Sequence, residues 1–330
     1  MERVIGSPQD AQKIVRDVIS EVGRAIVGYE DVISDFLVAL SAGGHIILEG
    51  VPGIAKTTLS KSLAKAMAID YKRIQFTQDL LPTDITGHYF FNQESRKFEL
   101  RKGPVFAELL LADEINRAPP KTQSALLESM QEKSVTIEGT TFALPEVFMV
   151  LANLNPIETE GVYPLPEAQV DRFMLKVKMD YPDEEDETII LSLKNAFDET
   201  PEPVVTREDI MQMKKLAFDV HSHRSILIYI RDITRATRQR EQLEYGLSPR
   251  GGIHLLVTAK ARAMLSGRNY VIPDDVKAMA HKVIDHRLLL SPEAELEGLT
   301  GSSVTESILS EVPVPKDDFG AGYSSSPPPE

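Results

Sequence analysis

The chain has 330 residues, of which 36 are basic and 50 acidic, giving a formal charge of −14. Its 42% apolar content can fill one large core or two smaller ones and excludes wholesale disorder, while the absence of cysteine excludes thiolate metal sites, redox pairs and a cysteine nucleophile. An acidic chain is a poor partner for nucleic acid or anionic lipid; no apolar run reaches the roughly 18 residues of a membrane span, no signal-peptide h-region opens the chain, and the expected address is the cytoplasm.

From the N-terminus, short apolar runs alternate with helical patterns: Ile46-Ile47-Leu48, Ile74-Gln75-Phe76, Leu109-Leu110-Leu111, Phe148-Met149-Val150-Leu151 and Phe173-Met174-Leu175-Lys176-Val177. All but one read as strands buried on both faces. The helical crossovers between them predict a doubly wound parallel sheet, an α/β core of three layers. Between the first strand and its helix lies Gly50-Val51-Pro52-Gly53-Ile54-Ala55-Lys56-Thr57, followed by Thr58. The spacing is that of a phosphate-binding loop. In such a loop backbone N–H groups and a helix N-terminus surround phosphate oxygens, a lysine reaches the β and γ phosphates, and a hydroxyl serves Mg²⁺. Ala55 stands where a second glycine is usual, and its Cβ predicts a negative φ there. A glycine-containing strand-to-helix turn is the plain alternative.

The third strand decides between them. Leu109-Leu110-Leu111-Ala112 ends in adjacent carboxylates, Asp113 suited to Mg²⁺ and Glu114 to orienting and deprotonating an attacking water. Loop and acid pair together predict a chain that binds and hydrolyses a nucleoside triphosphate. The fourth strand runs into Ala152-Asn153-Leu154-Asn155-Pro156. A polar side chain at that tip reads either as a group positioning the water or γ-phosphate, or as a local backbone cap.

Two arginines stand out further along. Arg172 closes the short helix after Pro166, either as a residue supplied to a neighbouring nucleotide site or as a C-terminal residue favoured by the helix dipole. Arg250 falls in the first turn of a helix with Ser248 as N-cap and Pro249 as first residue. There it opposes the dipole, and Gly251-Gly252 behind it are poor helix formers, so this helix start predicts a ligand or an interface, an anion such as phosphate in particular. After Tyr181-Pro182 the pattern is helical throughout. The acids Asp183-Glu184-Glu185-Asp186-Glu187 open the first helix, and segments 207–221, 224–243, 248–266 and 273–288 follow. Residues 314–330, with Ser324-Ser325-Ser326-Pro327-Pro328-Pro329, predict a disordered tail. His221, His223, His281 and His286 lack metal-ligand spacing.

As they stand, GVPGIAKT, LLLADEINRAPPKTQSALLESMQE, LANLNPIETEGVYPLPEAQVDRF, GLSPRG and YVIPDDV strongly resemble the MoxR family of AAA+ ATPases, from about Ile26 to Leu290. The resemblance makes Lys56 and Thr57 the Walker A residues, with Gly50, Val51, Pro52, Gly53, Ile54, Ala55 and Thr58 completing the phosphate site. Asp113 and Glu114 become Walker B, Asn155 sensor 1, Arg172 the arginine finger and Arg250 sensor 2, while Val27 and Gly28 sit where such proteins contact adenine. Ala-Asn-Leu-Asn departs from the commoner Ala-Thr-Gln-Asn but keeps Asn155. ATP and Mg²⁺ are the implied cofactors, the metal held through Thr57 and Asp113.

The resemblance also implies an α/β core over 1–181 and an all-helical lid over 182–313, with nucleotide bound where they meet. An insertion interrupting helix 2 falls at about 87–102 and a pre-sensor-1 β-hairpin at about 135–144. Whether Arg250 serves its own nucleotide or a neighbour's stays open. The implied assembly is a homo-oligomeric ring, usually a hexamer, that remodels or matures protein clients, often with a partner bearing a von Willebrand factor A domain. A DNA-acting motor is the first rival, but it typically carries Lys or Arg on the hairpin. Residues 135–144 have neither and place Glu138 at the turn, so no nucleic acid is expected as partner. A chelatase-type metal-insertion subunit and a non-hydrolysing switch are the other rivals.

Overall fold

The computed structural model describes residues 5–51, 53–154, 161–192, 200–317 and 319–320. The chain divides into two compact units, one formed by Ile14–Met211 and the other by Met1–Lys13 with Gln212–Glu330.

In chain order, α1 (Pro8–Val22) and α2 (Glu30–Ala42) precede β1 (Ile46–Gly50), α3 (Lys56–Ala66), β2 (Tyr71–Gln75) and α4 (Pro82–Thr86). Two hairpin strands, β3 (Gly87–Asn92) and β4 (Lys97–Lys102), lead to β5 (Leu109–Asp113) and α5 (Pro120–Glu132). A second hairpin, β6 (Ser134–Ile137) and β7 (Thr140–Ala143), is followed by β8 (Met149–Leu154), α6 (Glu167–Val170), β9 (Leu175–Met179) and α7 (Glu184–Ser192).

The five apolar runs form one parallel sheet in the order β2-β5-β8-β1-β9. Burial explains their composition. Every residue of β5 is buried, as are all but the last of β8 and all but Glu49 of β1, because strands inside such a sheet are covered on both faces. Strand β2 lies at an edge and exposes Lys72, Arg73 and Gln75. Ile47, Leu110, Ala112, Val150 and Ala152 meet Phe76, Leu126, Leu127, Met130 and Phe173, none more than 3% exposed. Each large apolar side chain so buried stabilises the fold by about 1.5–3 kcal/mol. Because the strands are parallel, their carboxyl ends, Gly50, Gln75, Asp113, Leu154 and Met179, share one edge of the sheet, where folds of this class bind ligands.

The two hairpins pair β3 with β4 and β6 with β7. Gly87 opens the first at φ +98°, where a Cβ would strike the Arg101 carbonyl. The second turns on Glu138-Gly139, with φ of 47° and 83°, the pair of positive angles a two-residue type I′ turn requires.

The chain continues through α8 (Arg207–Asp219), α9 (Arg224–Thr237), β10 (Leu243–Tyr245), α10 (Pro249–Leu265) and α11 (Pro273–Ile284) to β11 (Leu289–Leu290), α12 (Pro292–Leu296) and α13 (Gly301–Glu311). In the second unit Tyr229, Ile233, Leu255, Met264, Met279, Val283 and Ile308 form the core, each at most 2% exposed. Helix α9 ends at Thr237 and not at 243. Thr237 Oγ1 accepts the Leu247 N–H at 2.9 Å, and Gly246 packs against the Thr237 backbone, so the chain doubles back. Leu243–Tyr245 then pairs antiparallel with β11, a ladder too short for periodicity to signal. Of the expected tail, 318 and 321–330 lie outside the described residues; Phe319 packs edge-on to His223 at 6.5 Å between ring centroids. Among the described residues no helix is long and apolar enough to cross a membrane.

Candidate functional site

The loop between β1 and α3 is built by close approach and by two left-handed residues. A Cβ on Gly50 would lie 2.6 Å from the Met179 carbonyl and from Ile54 Cδ1, so glycine is what fits between β9 and the loop. Gly53 has φ +88° and open space where a side chain would stand. Pro52 lies outside the described residues. Ala55 has φ 61° and ψ 26°, which corrects the expectation of a negative φ. Local sterics favour the negative angle by about 1–2 kcal/mol, but the chain must reverse here to enter α3, and that turn takes precedence. Alternating right- and left-handed backbone turns successive N–H groups to one side, the arrangement that makes an anion-binding concavity.

Lys56 opens α3. It is 8% exposed, and its Nζ donates to the Gly50 carbonyl at 2.5 Å. Burial lowers its pKa from the usual lysine value, while the carboxylates of Asp113 and Glu114 pull in the other direction. The phosphate-loop lysine and the acid pair are thus brought together. Thr57 is exposed in the first turn of α3 and Thr58 is half-buried.

Asp113 ends β5, where it is 7% exposed. Its Oδ1 accepts Asn153 Nδ2 at 2.6 Å, and its Oδ2 accepts Arg73 Nε at 3.0 Å and Nη2 at 2.7 Å. Glu114 follows with φ 55°, a left-handed position that terminates the strand. Its Oε2 accepts Gln75 Nε2 at 2.5 Å and pairs with Arg117 Nε at 3.0 Å. Arg73 Nη2 also donates to Gln75 Oε1 at 2.8 Å, so β2 links the two carboxylates through its exposed face.

Arg73, Gln75 and Arg117 carry no site role that their local sequence signals, and Asn153 is signalled only as part of the polar tip of the fourth strand. Arg73 and Gln75 stand two apart on β2, hence on one face, and Gln75 is the register partner of Asp113. That spacing was a usable signal, but only once β2 is known to neighbour β5. Asn155 lies outside the described residues; among the described residues Asn153, on the interior strand β8, touches Asp113.

Arg172 lies against α5, donating through Nη1 to the Leu127 carbonyl at 2.8 Å. It lines a cavity of about 400 Å³ with Ser124, Glu128, Gln131 and Gln169. The expected helix there is the single turn α6, and Arg172 lies beyond its end. Val27 and Gly28 run into α2, and Gly28, at φ +77°, lies against the Asp186 carboxylate of α7.

Arg250 belongs to the second unit. It is exposed in the first turn of α10, with Ser248 Oγ accepting the Gly251 N–H at 3.2 Å and Pro249 in the first position. The glycines behind it have a packing cause. A Cβ on Gly251 would strike Leu247, and one on Gly252 would lie 3.1 Å from Thr234 Oγ1. Close approach within the chain thus accounts for the two glycines that follow Arg250.

The residues present fit a nucleotide and a hard divalent cation. The loop offers open space at Gly53 and a buried lysine. Thr57 and Asp113 offer oxygen donors, the kind Mg²⁺ takes alongside water. Asn153 Oδ1 is buried with no hydrogen-bond partner among the described residues, an acceptor next to Asp113 suited to a water donor.

Comparison with known proteins gives concordant matches. The family model for ATPases associated with various cellular activities (AAA) matches residues 45–175, and that for the AAA lid domain matches 235–310. The uncharacterized protein YeaC of Bacillus subtilis is 45% identical over 309 residues, 93% of this chain and 97% of its own. Chaperone MoxR1 of Mycobacterium tuberculosis is 40% identical over 320 residues, 94% of this chain and 85% of its own. The crystal structure of a candidate ATPase from Cytophaga hutchinsonii superposes with a TM-score of 0.88 at 43% identity, covering 94% of this chain and 97% of that one.

Proposed function

The chain belongs to the MoxR family of AAA+ ATPases, and from that premise we propose that it hydrolyses ATP in a cytoplasmic homo-oligomeric ring that remodels protein clients. The observation that carries the ATPase reading is Lys56 buried at the start of α3 within the field of Asp113 and Glu114. The loop backbone, Lys56 and Thr58 would hold the phosphates, and Thr57 and Asp113 would hold Mg²⁺. When bound, Mg²⁺ neutralises phosphate charge.

The chain's own groups do the rest. Glu114 takes the proton of the attacking water, and Gln75 and Arg117 fix the carboxylate that receives it. Asn153 fixes the orientation of Asp113 from the adjacent interior strand. Asn155 serves as sensor 1. Arg172 supplies positive charge to a neighbouring subunit's nucleotide, and Arg250 senses nucleotide from the helical lid.

The client is a protein, with a von Willebrand factor A domain protein as partner and a hexamer as the ring. The β6–β7 hairpin supports polypeptide over nucleic acid, since its turn is Glu138-Gly139 and residues 135–144 carry no Lys or Arg. The test is a native pull-down with Glu114→Gln and ATP beside Lys56→Ala, coupled to ATP turnover with and without single-stranded DNA. Client proteins should accumulate on Glu114→Gln alone. Several-fold stimulation by DNA that fades with salt would overturn the protein-remodelling reading.

A further inference from the structure

The proposed chemistry leaves one cation at the acid pair without a task. Arg73, on edge strand β2, places both Nε (3.0 Å) and Nη2 (2.7 Å) on the same oxygen of Asp113, while Asn153 occupies the other. A carboxylate has about four lone-pair sites, and three are committed to these bonds. The site left over is on Oδ1, so a divalent cation there would share one carboxylate with a guanidinium already paired to Oδ2. Two cations held by the two oxygens of one carboxylate lie only a few ångström apart and repel each other.

Arg73 can leave. Its side chain is 46% exposed against 10% for Asp113, and it belongs to an edge strand. Its Nη2 also donates to Gln75 Oε1, which would retain one end of the guanidinium when Asp113 is released. The neighbouring cations are committed elsewhere, Lys56 to the Gly50 carbonyl and Arg117 to Glu114.

We infer that Arg73 is a positioning residue that holds Asp113 in the metal-free chain and is displaced when a divalent cation binds, so that its guanidinium sets the affinity of the site for the metal. This rests on the nucleotide reading of the site. A purely structural ion pair has the opposite sign: it would order Asp113 for the metal, and its removal would weaken metal binding.

The experiment uses the full chain in excess over ADP, so that all nucleotide is bound, and titrates Mn²⁺ while free Mn²⁺ is followed by electron paramagnetic resonance. Arg73→Gln should tighten Mn²⁺ binding about tenfold, the order expected when a unit charge a few ångström away is removed. Its ADP affinity in EDTA should match the wild type. Its melting temperature should fall below wild type without metal and recover with Mn²⁺ and ADP. Arg73→Lys, which keeps the charge but loses the paired contact, should tighten Mn²⁺ binding by a smaller factor, and it decides the matter if Arg73→Gln does not fold. Unchanged or weaker Mn²⁺ binding in the folded variants would overturn the inference and leave the nucleotide site intact. A wild-type chain that bound no ADP in EDTA would instead remove the nucleotide reading, and this inference with it.

Discussion

Asn153 on β8 donates its amide Nδ2 to Asp113 Oδ1 on β5 at 2.6 Å, both side chains being buried. Strand β8 lies between the strand that carries the phosphate loop and the strand that carries the acid pair, and Asn153 is also the register partner of Leu48 on β1. Asn153 therefore fixes Asp113 from the strand that joins the two halves of the site.

Replacing that amide has two graded outcomes. Asn153→Ala should cost about 1.5–3 kcal/mol of stability, the worth of a hydrogen bond to a charged group. Asn153→Asp should cost more, because it sets a second carboxylate against Asp113 where the amide donor stood. Urea denaturation of the ligand-free chain measures both. Equal stability of the two variants would mean that the Asn153–Asp113 bond does not form in solution.

Ala55 offers a test in the stabilising direction. At φ 61° its Cβ carries a penalty that glycine lacks. Ala55→Gly should raise stability by about 1 kcal/mol, net of the extra entropy glycine gives the unfolded chain, and should leave nucleotide binding intact. Calorimetric melting without nucleotide checks it, and a lower melting temperature would show that Ala55 is not left-handed in solution.

The contrast between Ala55 and Asp113 marks what was legible beforehand. The phosphate loop, the acid pair and the five strands are encoded by neighbours in the chain, so spacing and apolar runs expose them. Arg73 is 40 residues from Asp113 and meets it only because β2 pairs with β5, an adjacency that no local pattern states. The φ at Ala55 misled for the same reason, and the glycines at 251 and 252 have a packing cause that propensity does not register. Propensity weighs a residue alone, whereas the turn into α3 and the packing against Leu247 and Thr234 set the backbone there. The end of α9 at Thr237 likewise depends on a hydrogen bond to Leu247, beyond the reach of a helical period.

Arg172 provides a test of assembly. If its guanidinium serves the neighbouring subunit, Arg172→Ala should spare nucleotide affinity and cut turnover by about 10³-fold or more, the scale of an arginine finger. Rings mixed from Arg172→Ala and Glu114→Gln subunits should regain part of the activity, since some interfaces then pair an intact base with an intact arginine. Absence of recovery in rings verified as mixed would assign Arg172 to its contact with the Leu127 carbonyl alone.

If Lys56, Asp113 and Glu114 form one hydrolytic site, Mg²⁺-dependent phosphate release measured beside nucleotide binding shows it most directly. Lys56→Ala should abolish ATP binding. Glu114→Gln should bind ATP as the wild type does while releasing phosphate about 10²–10⁴-fold more slowly, the usual contribution of a general base. Wild-type turnover by Glu114→Gln, or undiminished ATP binding by Lys56→Ala, would contradict it.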